Sequence, residues 1–202
     1  MKKVQVLFLL LALGFASCEE YLEEGLTGGV TADGVYDSPA GIELGLNAAY
    51  TAYTRLMGNA NNREDGWSLT TMGTDMFQNG SDGGQKRYNR YDDIEPGHNT
   101  ITNAWEDLYI GINTANAVIG RAPNVIMNSE RLADIMGQAR FLRGIYYFWL
   151  VRQYGAVHYS DEETVGVETE ANRTPVPELY ARIIEDMEFA AENLPGQQSE
   201  RG

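Results

Sequence analysis

The sequence predicts an all-α fold. Four segments carry apolar residues at helical spacing, no segment reads as a strand, and each helical pattern stops at a Pro or Gly. The first helix opens at Ser38-Pro39, a capping side chain followed by proline where no N–H is needed. Ile42, Leu46, Ala49, Tyr53 and Leu56 trace its stripe, and Gly58-Asn59 ends it. The second covers about 100–121, with Trp105, Leu108, Ile112, Ala115 and Ile119 on one face and Pro123 as its stop. The third covers about 129–154, with Ser129 as its cap. Leu132, Ile135, Ala139, Leu142, Tyr146, Trp149 and Gln153 form its stripe, Tyr147, Phe148 and Val151 add a second face, and Gly155 supplies a left-handed stop. The fourth begins near Thr174-Pro175, shows Tyr180, Ile183, Met187, Ala190 and Leu194, and ends at Pro195-Gly196.

The third helix is apolar almost all the way round between Ile145 and Val151, so it is predicted to be buried on more than one side. No 34-residue repeat is visible, but such a helix fits a stacked array in which middle helices touch neighbours on two faces. Tyr146, Trp149 and Leu150 are expected to pack against the second helix. Tyr147, Phe148 and Val151 are expected against the fourth or a later one. Arg140 and Arg143 lie one turn apart, and at least one should meet a carboxylate or carbonyl, because a lone buried charge is too costly.

Two segments lack a period. Residues 59–98 include NGSDGG at 79–84 and RYNRYDD at 87–93, with room for a short strand or helix. An irregular segment of that length inside a domain tends to be functional. Residues 156–173 form an acidic loop with Asp161, Glu162, Glu163, Glu168 and Glu170.

The 202 residues suffice for one domain or one and a fraction, and 43% hydrophobic with 22% charged residues gives a globular rather than a disordered composition. The net charge is −14. That opposes nucleic acid, anionic lipid head groups and highly sulfated glycans as partners and leaves neutral ligands open. A single cysteine, Cys18, excludes a disulfide framework or a cysteine metal site within one chain.

MKKVQVLFLLLALGFASC reads as a secretory signal peptide, with Lys2 and Lys3 before an apolar run too short to span a membrane. Cys18 after Ala16-Ser17 looks like a lipobox, with Phe15 where leucine is usual; the alternative is an ordinary signal peptide. The predicted organisation is a signal peptide at 1–17, an acidic tether and lead-in at 18–37 containing Glu19, Glu20, Glu23 and Glu24, and a helical domain at 38–202. The acidic run after Cys18 resembles a surface-export signal of Bacteroidota-type lipoproteins.

The chain carries no nucleophile elbow, no H-E-x-x-H, no Walker loop and no G-x-G-x-x-G, and its two histidines, His98 and His158, stand far apart. The stretch from Asp75 approximates a calcium loop, but the third position is Phe77 and the twelfth is Lys86 where a bidentate glutamate belongs. Asp75, Asn79 and Asp82 leave room only for a looser site. No catalysis, cofactor or metal is expected.

ARFLRGIYYFWLVRQYG at 139–155 resembles the SusD/RagB family of outer-membrane nutrient-binding lipoproteins. Two further stretches agree in order and spacing: Trp105-Glu-Asp-Leu-Tyr109-Ile-Gly-Ile112 with Ala115-Asn116, and the run from Arg173 through Tyr180 and Asp186 to Leu194-Pro195. Gln138 stands where the family usually has Glu, Gly144 where it has Ala, and Val157-His158 interrupts a usual V-P. The resemblance implies a SusD-like helical array with tetratricopeptide-like helix pairs, here truncated, since family members are typically more than twice this length. It further implies a lipid-anchored, surface-facing outer-membrane protein that binds a nutrient, usually an oligosaccharide, and passes it to a SusC-like TonB-dependent transporter. A helical scaffold lipoprotein without ligand binding is the alternative.

Sugar binding needs exposed aromatic faces and planar polar groups. Only residues 66–98 offer both, through Trp67, Asp75, Asn79, Arg87, Tyr88, Asn89 and Tyr91.

Overall fold

The computed structural model describes residues 31–57, 65–77 and 86–196. The signal peptide, Cys18, most of the tether, the Gly58-Asn59 stop and Asn79 lie outside the described residues. The chain divides into two compact units, Met1–Gly34 and Val35–Gly202. The described part of the first is short: the Gly34 N–H donates to Thr31 Oγ1 at 3.2 Å. One helical turn, α1, is formed by Ala32–Val35.

The second unit is helical: α2 (Pro39–Met57), α3 (Asp65–Thr70), α4 (Lys86–Arg90), α5 (Asn99–Arg121), α6 (Ser129–Tyr154) and α7 (Val176–Asn193), with a 3-10 turn at Ala122–Asn124. Among the described residues the only β pairing is an isolated bridge between Val157 and Thr174. The all-α prediction therefore holds, and the two short helices α3 and α4 occupy the stretch that showed no period.

The caps explain the boundaries. Ser38 Oγ accepts from the Gly41 N–H at 3.2 Å, so α2 starts where its capping residue predicts. Helix α6 starts one residue from expectation: the cap is Asn128, whose Oδ1 accepts from the N–H groups of Glu130 and Arg131, and Ser129 is the first helical residue. Gly155 follows α6 with φ 73° and ψ −131°, a positive-φ conformation that favours glycine but lies outside the left-handed helical region the sequence predicted.

Successive long helices pack in pairs, α2 on α5, α5 on α6 and α6 on α7, and one core runs through them. Helix α6 lies between α5 and α7. This accounts for a helix buried through Ile135, Ala139, Leu142, Tyr146, Tyr147, Leu150 and Val151, residues that no single stripe contains. Tyr146 lies against Gly111 of α5, where an added Cβ would come within 2.5 Å of its ring, and its hydroxyl donates to the Ala49 carbonyl of α2 at 2.6 Å. Phe148 meets Tyr180 of α7 edge to face, with ring centroids 6.5 Å apart. Tyr147 differs from expectation. It faces the 157–164 loop, stacks near Tyr159, and its hydroxyl both donates to the Ser160 carbonyl and accepts from the Ser160 N–H.

Trp105 also departs from the predicted stripe. The buried line of α5 is Ala104, Leu108, Gly111, Ile112 and Ala115. Trp105 sits on its flank, 38% exposed, against Tyr109 and Tyr154.

Candidate functional site

The irregular segment is built onto the ends of α2 and α5. Gly66 lies so close to the Leu56 carbonyl that a Cβ would come within 2.6 Å of it, so only glycine permits this approach. Next to it, Trp67 donates its indole N–H to the Met57 carbonyl at 3.1 Å. That bond fixes one edge of the indole while 43% of the residue remains exposed. Phe77, also exposed, stands with its ring centroid 5.8 Å from that of Trp67 at 56°. Met76 beside it is 84% exposed.

The 86–98 arm holds this segment from the other side. The Gly73 N–H donates to Asn89 Oδ1 at 3.0 Å and the Tyr91 hydroxyl donates to the Gly73 carbonyl at 2.8 Å. Gly73 takes φ 77°, and a side chain there would also strike Tyr91 and the Tyr88 carbonyl. Tyr91 itself adopts φ 54°, a left-handed conformation uncommon outside glycine, and stays largely exposed. Arg87 donates to the Asp93 carbonyl at 3.2 Å and so braces the turn after α4.

The predicted residues therefore separate. Trp67 and Tyr91 present exposed rings held by hydrogen bonds from their own polar atoms. Asp75 is exposed. Arg87 and Asn89 brace the segment. Tyr88 is buried, its hydroxyl 2.7 Å from His98 Nδ1, and supports the arm from inside. Asn79 lies outside the described residues. Phe77 was missed by sequence reasoning, which weighed it only as a misfit in a calcium loop. Its signal is the apolar Met76-Phe77 pair set among polar residues. Among the described residues no group of acidic, histidine or cysteine side chains is arranged to hold a metal.

A second feature is the 157–174 loop. Its ends are closed by the Thr174 N–H donating to the Val157 carbonyl at 2.8 Å. Between them, side chains of α5 and α6 bond the loop backbone. Tyr109 donates to the His158 carbonyl at 2.8 Å, Asn116 to those of Ser160 and Glu162 at 3.0 and 2.9 Å, and Asn113 exchanges two bonds with Thr164. Burial raises the Tyr109 phenol to a pKa of about 12, the bond to the His158 carbonyl acting the other way. The loop borders a cleft of about 300 Å³ lined by residues from His158 to Glu168, and Glu163 in it turns back to pair with Arg121 of α5 at 2.6 Å.

Beneath the loop lies a buried charge network. Arg143 donates to both Asp186 oxygens at 2.7 Å each, to Asn116 Oδ1 at 3.0 Å and to the Asp161 carbonyl at 3.3 Å. Burial opposes the charge on Arg143, and the two bonds and the charge of Asp186 more than offset it, so the guanidinium stays protonated. The expectation that one of the two arginines would be paired is met by Arg143. Arg140 lies 3.9 Å from Asp186 and 4.2 Å above the Phe189 ring.

This is a helical array carrying an irregular aromatic segment at one place and a pinned acidic loop at another. Residues 35–201 match the model of the SusD-like family described as starch-binding and associating with the outer membrane, and the chain belongs to that family. SusD-like protein P2 of Formosa agariphila is 27% identical over an alignment that covers all of this chain and 40% of the relative. A laminarin-binding SusD-like protein of known structure is 25% identical with a TM-score of 0.65, over 79% of this chain and 35% of that one. A SusD superfamily protein from Bacteroides thetaiotaomicron reaches a TM-score of 0.68 at 21% identity, over 81% of this chain and 38% of that one. The chain thus spans about two-fifths of the length of the relatives it matches.

Proposed function

We propose that the protein carrying this chain binds a neutral oligosaccharide at the cell surface and hands it to a SusC-like TonB-dependent transporter, anchored in the outer membrane through lipid on Cys18. The observation that carries the reading is the Trp67–Phe77 pair. Two aromatic rings stand exposed on a scaffold whose hydrogen bonds hold one of them in place, which suits stacking against the apolar face of a sugar ring. Membership of a family described as starch-binding and the similarity to a laminarin-binding protein support the ligand class. The net charge of −14 favours an uncharged glycan over a sulfated one. Binding without catalysis is the corresponding role.

The test is retention on gels carrying starch or laminarin. Wild-type protein is expected to be retarded, and Trp67→Ala to weaken retention about tenfold, the loss of one aromatic contact of roughly 1.4 kcal/mol. Wild-type protein that no neutral glycan retards would leave the scaffold reading in its place, and equal retardation of wild type and variant would remove Trp67 from the site. The anchor has its own measurement: Cys18→Ala should move the protein from the membrane to the soluble fraction, and an unchanged distribution would remove the lipid from the proposal.

A further inference from the structure

His98 occupies a position that glycan stacking does not require. It is the cap of α5, and its Nδ1 accepts from the Thr100 N–H at 3.3 Å. The same atom lies 2.7 Å from the Tyr88 hydroxyl on α4, with the two rings edge to face at 5.6 Å. One lone pair therefore serves two purposes: it completes the start of a 23-residue helix and ties the 86–98 arm to it. To accept, Nδ1 must be unprotonated.

We propose that His98 is a proton-operated latch on this arm. With a neutral ring, α5 is capped and α4 is fastened to it. When Nδ1 gains a proton it becomes a donor. The bond from Thr100 is lost, since two N–H groups then face each other. The Tyr88 hydroxyl must change from donor to acceptor. A positive charge also sits at a helix N-terminus, where the macrodipole disfavours it. The other titratable or charged groups around the pair are Arg87 on α4, Asp65 on α3 and Tyr154 on α6. Burial keeps Tyr88 and Tyr154 neutral, so neither phenol competes for the proton in this range. The His98 N–H itself donates to the Glu95 carbonyl at 3.0 Å and is unaffected.

The arm matters because Asn89 and Tyr91 hold Gly73, four residues before Phe77. Loosening it would disturb the aromatic surface, a consequence that rests on the glycan reading, whereas the latch does not.

Amide hydrogen exchange of the whole chain tests the latch without ligand. Between about pH 7.5 and about pH 5.5, protection over residues 86–101 should fall roughly tenfold beyond the intrinsic pH effect, the scale of a lost cap. In His98→Asn, whose side-chain oxygen caps without titrating, protection should not depend on pH. In Tyr88→Phe, residues 86–91 should exchange fast at both pH values while the start of α5 keeps its response to acid. A flat wild-type profile, or the same fall in His98→Asn, overturns the latch. Retention on the glycan gel separates the two ideas: a latch that responds in exchange while no glycan binds at either pH leaves the latch standing and removes the glycan reading.

Discussion

Arg143 shows how much one buried charge demands of its surroundings. Asp186, Asn116 and the Asp161 carbonyl together accept four bonds from its guanidinium. Removing the carboxylate with Asp186→Ala would strand the cation in the core and should lower unfolding free energy by about 3–5 kcal/mol, read by urea denaturation. The double replacement Arg143→Met with Asp186→Leu should recover much of that loss, because an apolar pair has no charge to solvate. A single variant as stable as wild type would show that solvent reaches the pair. The need for a partner was legible in the sequence, since an arginine in a helix so apolar must be compensated. The partner was not, because Asp186 is one acid among 29 and only the packing of α7 on α6 selects it.

Whole elements were legible where the apolar pattern ran for several turns. The four long helices lie where their stripes predict. What failed was finer. Asn and Ser are nearly equal caps, so the choice of Asn128 over Ser129 was made by backbone geometry, with Asn128 extended at φ −61° and ψ 137°. Trp105 follows the helical period, but a period cannot tell the centre of a buried face from its flank. The helices α3 and α4, six and five residues long, are too short for any period to repeat. Exposed Phe77 was hidden for the same reason. Close approach between elements leaves a trace in glycine: Gly111→Ala would drive a methyl into the ring of Tyr146, whose hydroxyl is held by α2. That substitution should cost about 1–3 kcal/mol by overpacking despite alanine's better helix propensity. Thermal unfolding would measure it, and an unchanged or higher midpoint would mean that α5 and α6 can separate slightly at no cost.

At the scale of the molecule, the family was legible because its motifs are the packing motifs. Trp105 to Asn116, the α6 segment and the run ending at Leu194-Pro195 are the surfaces by which α5, α6 and α7 meet. The proposed ligand surface was only partly legible, because its residues lack periodicity and their neighbours are set by the fold. The pinned loop has a consequence for the order of events in folding. It has no helix or strand of its own; its backbone is held by Tyr109, Asn113 and Asn116 from one helix and Arg143 and Tyr147 from the next. The bonds from Tyr109, Asn113 and Asn116 join residues 44 to 51 apart and need α5 docked beside α6, so the loop is expected to complete its ordering after the rate-limiting step. Asn116→Ala should then speed unfolding by about the full loss in stability and leave the refolding rate nearly unchanged, a φ-value near zero. A refolding rate that fell in proportion would place the loop in the folding nucleus instead, and the helices would be assembling around a coil rather than the reverse.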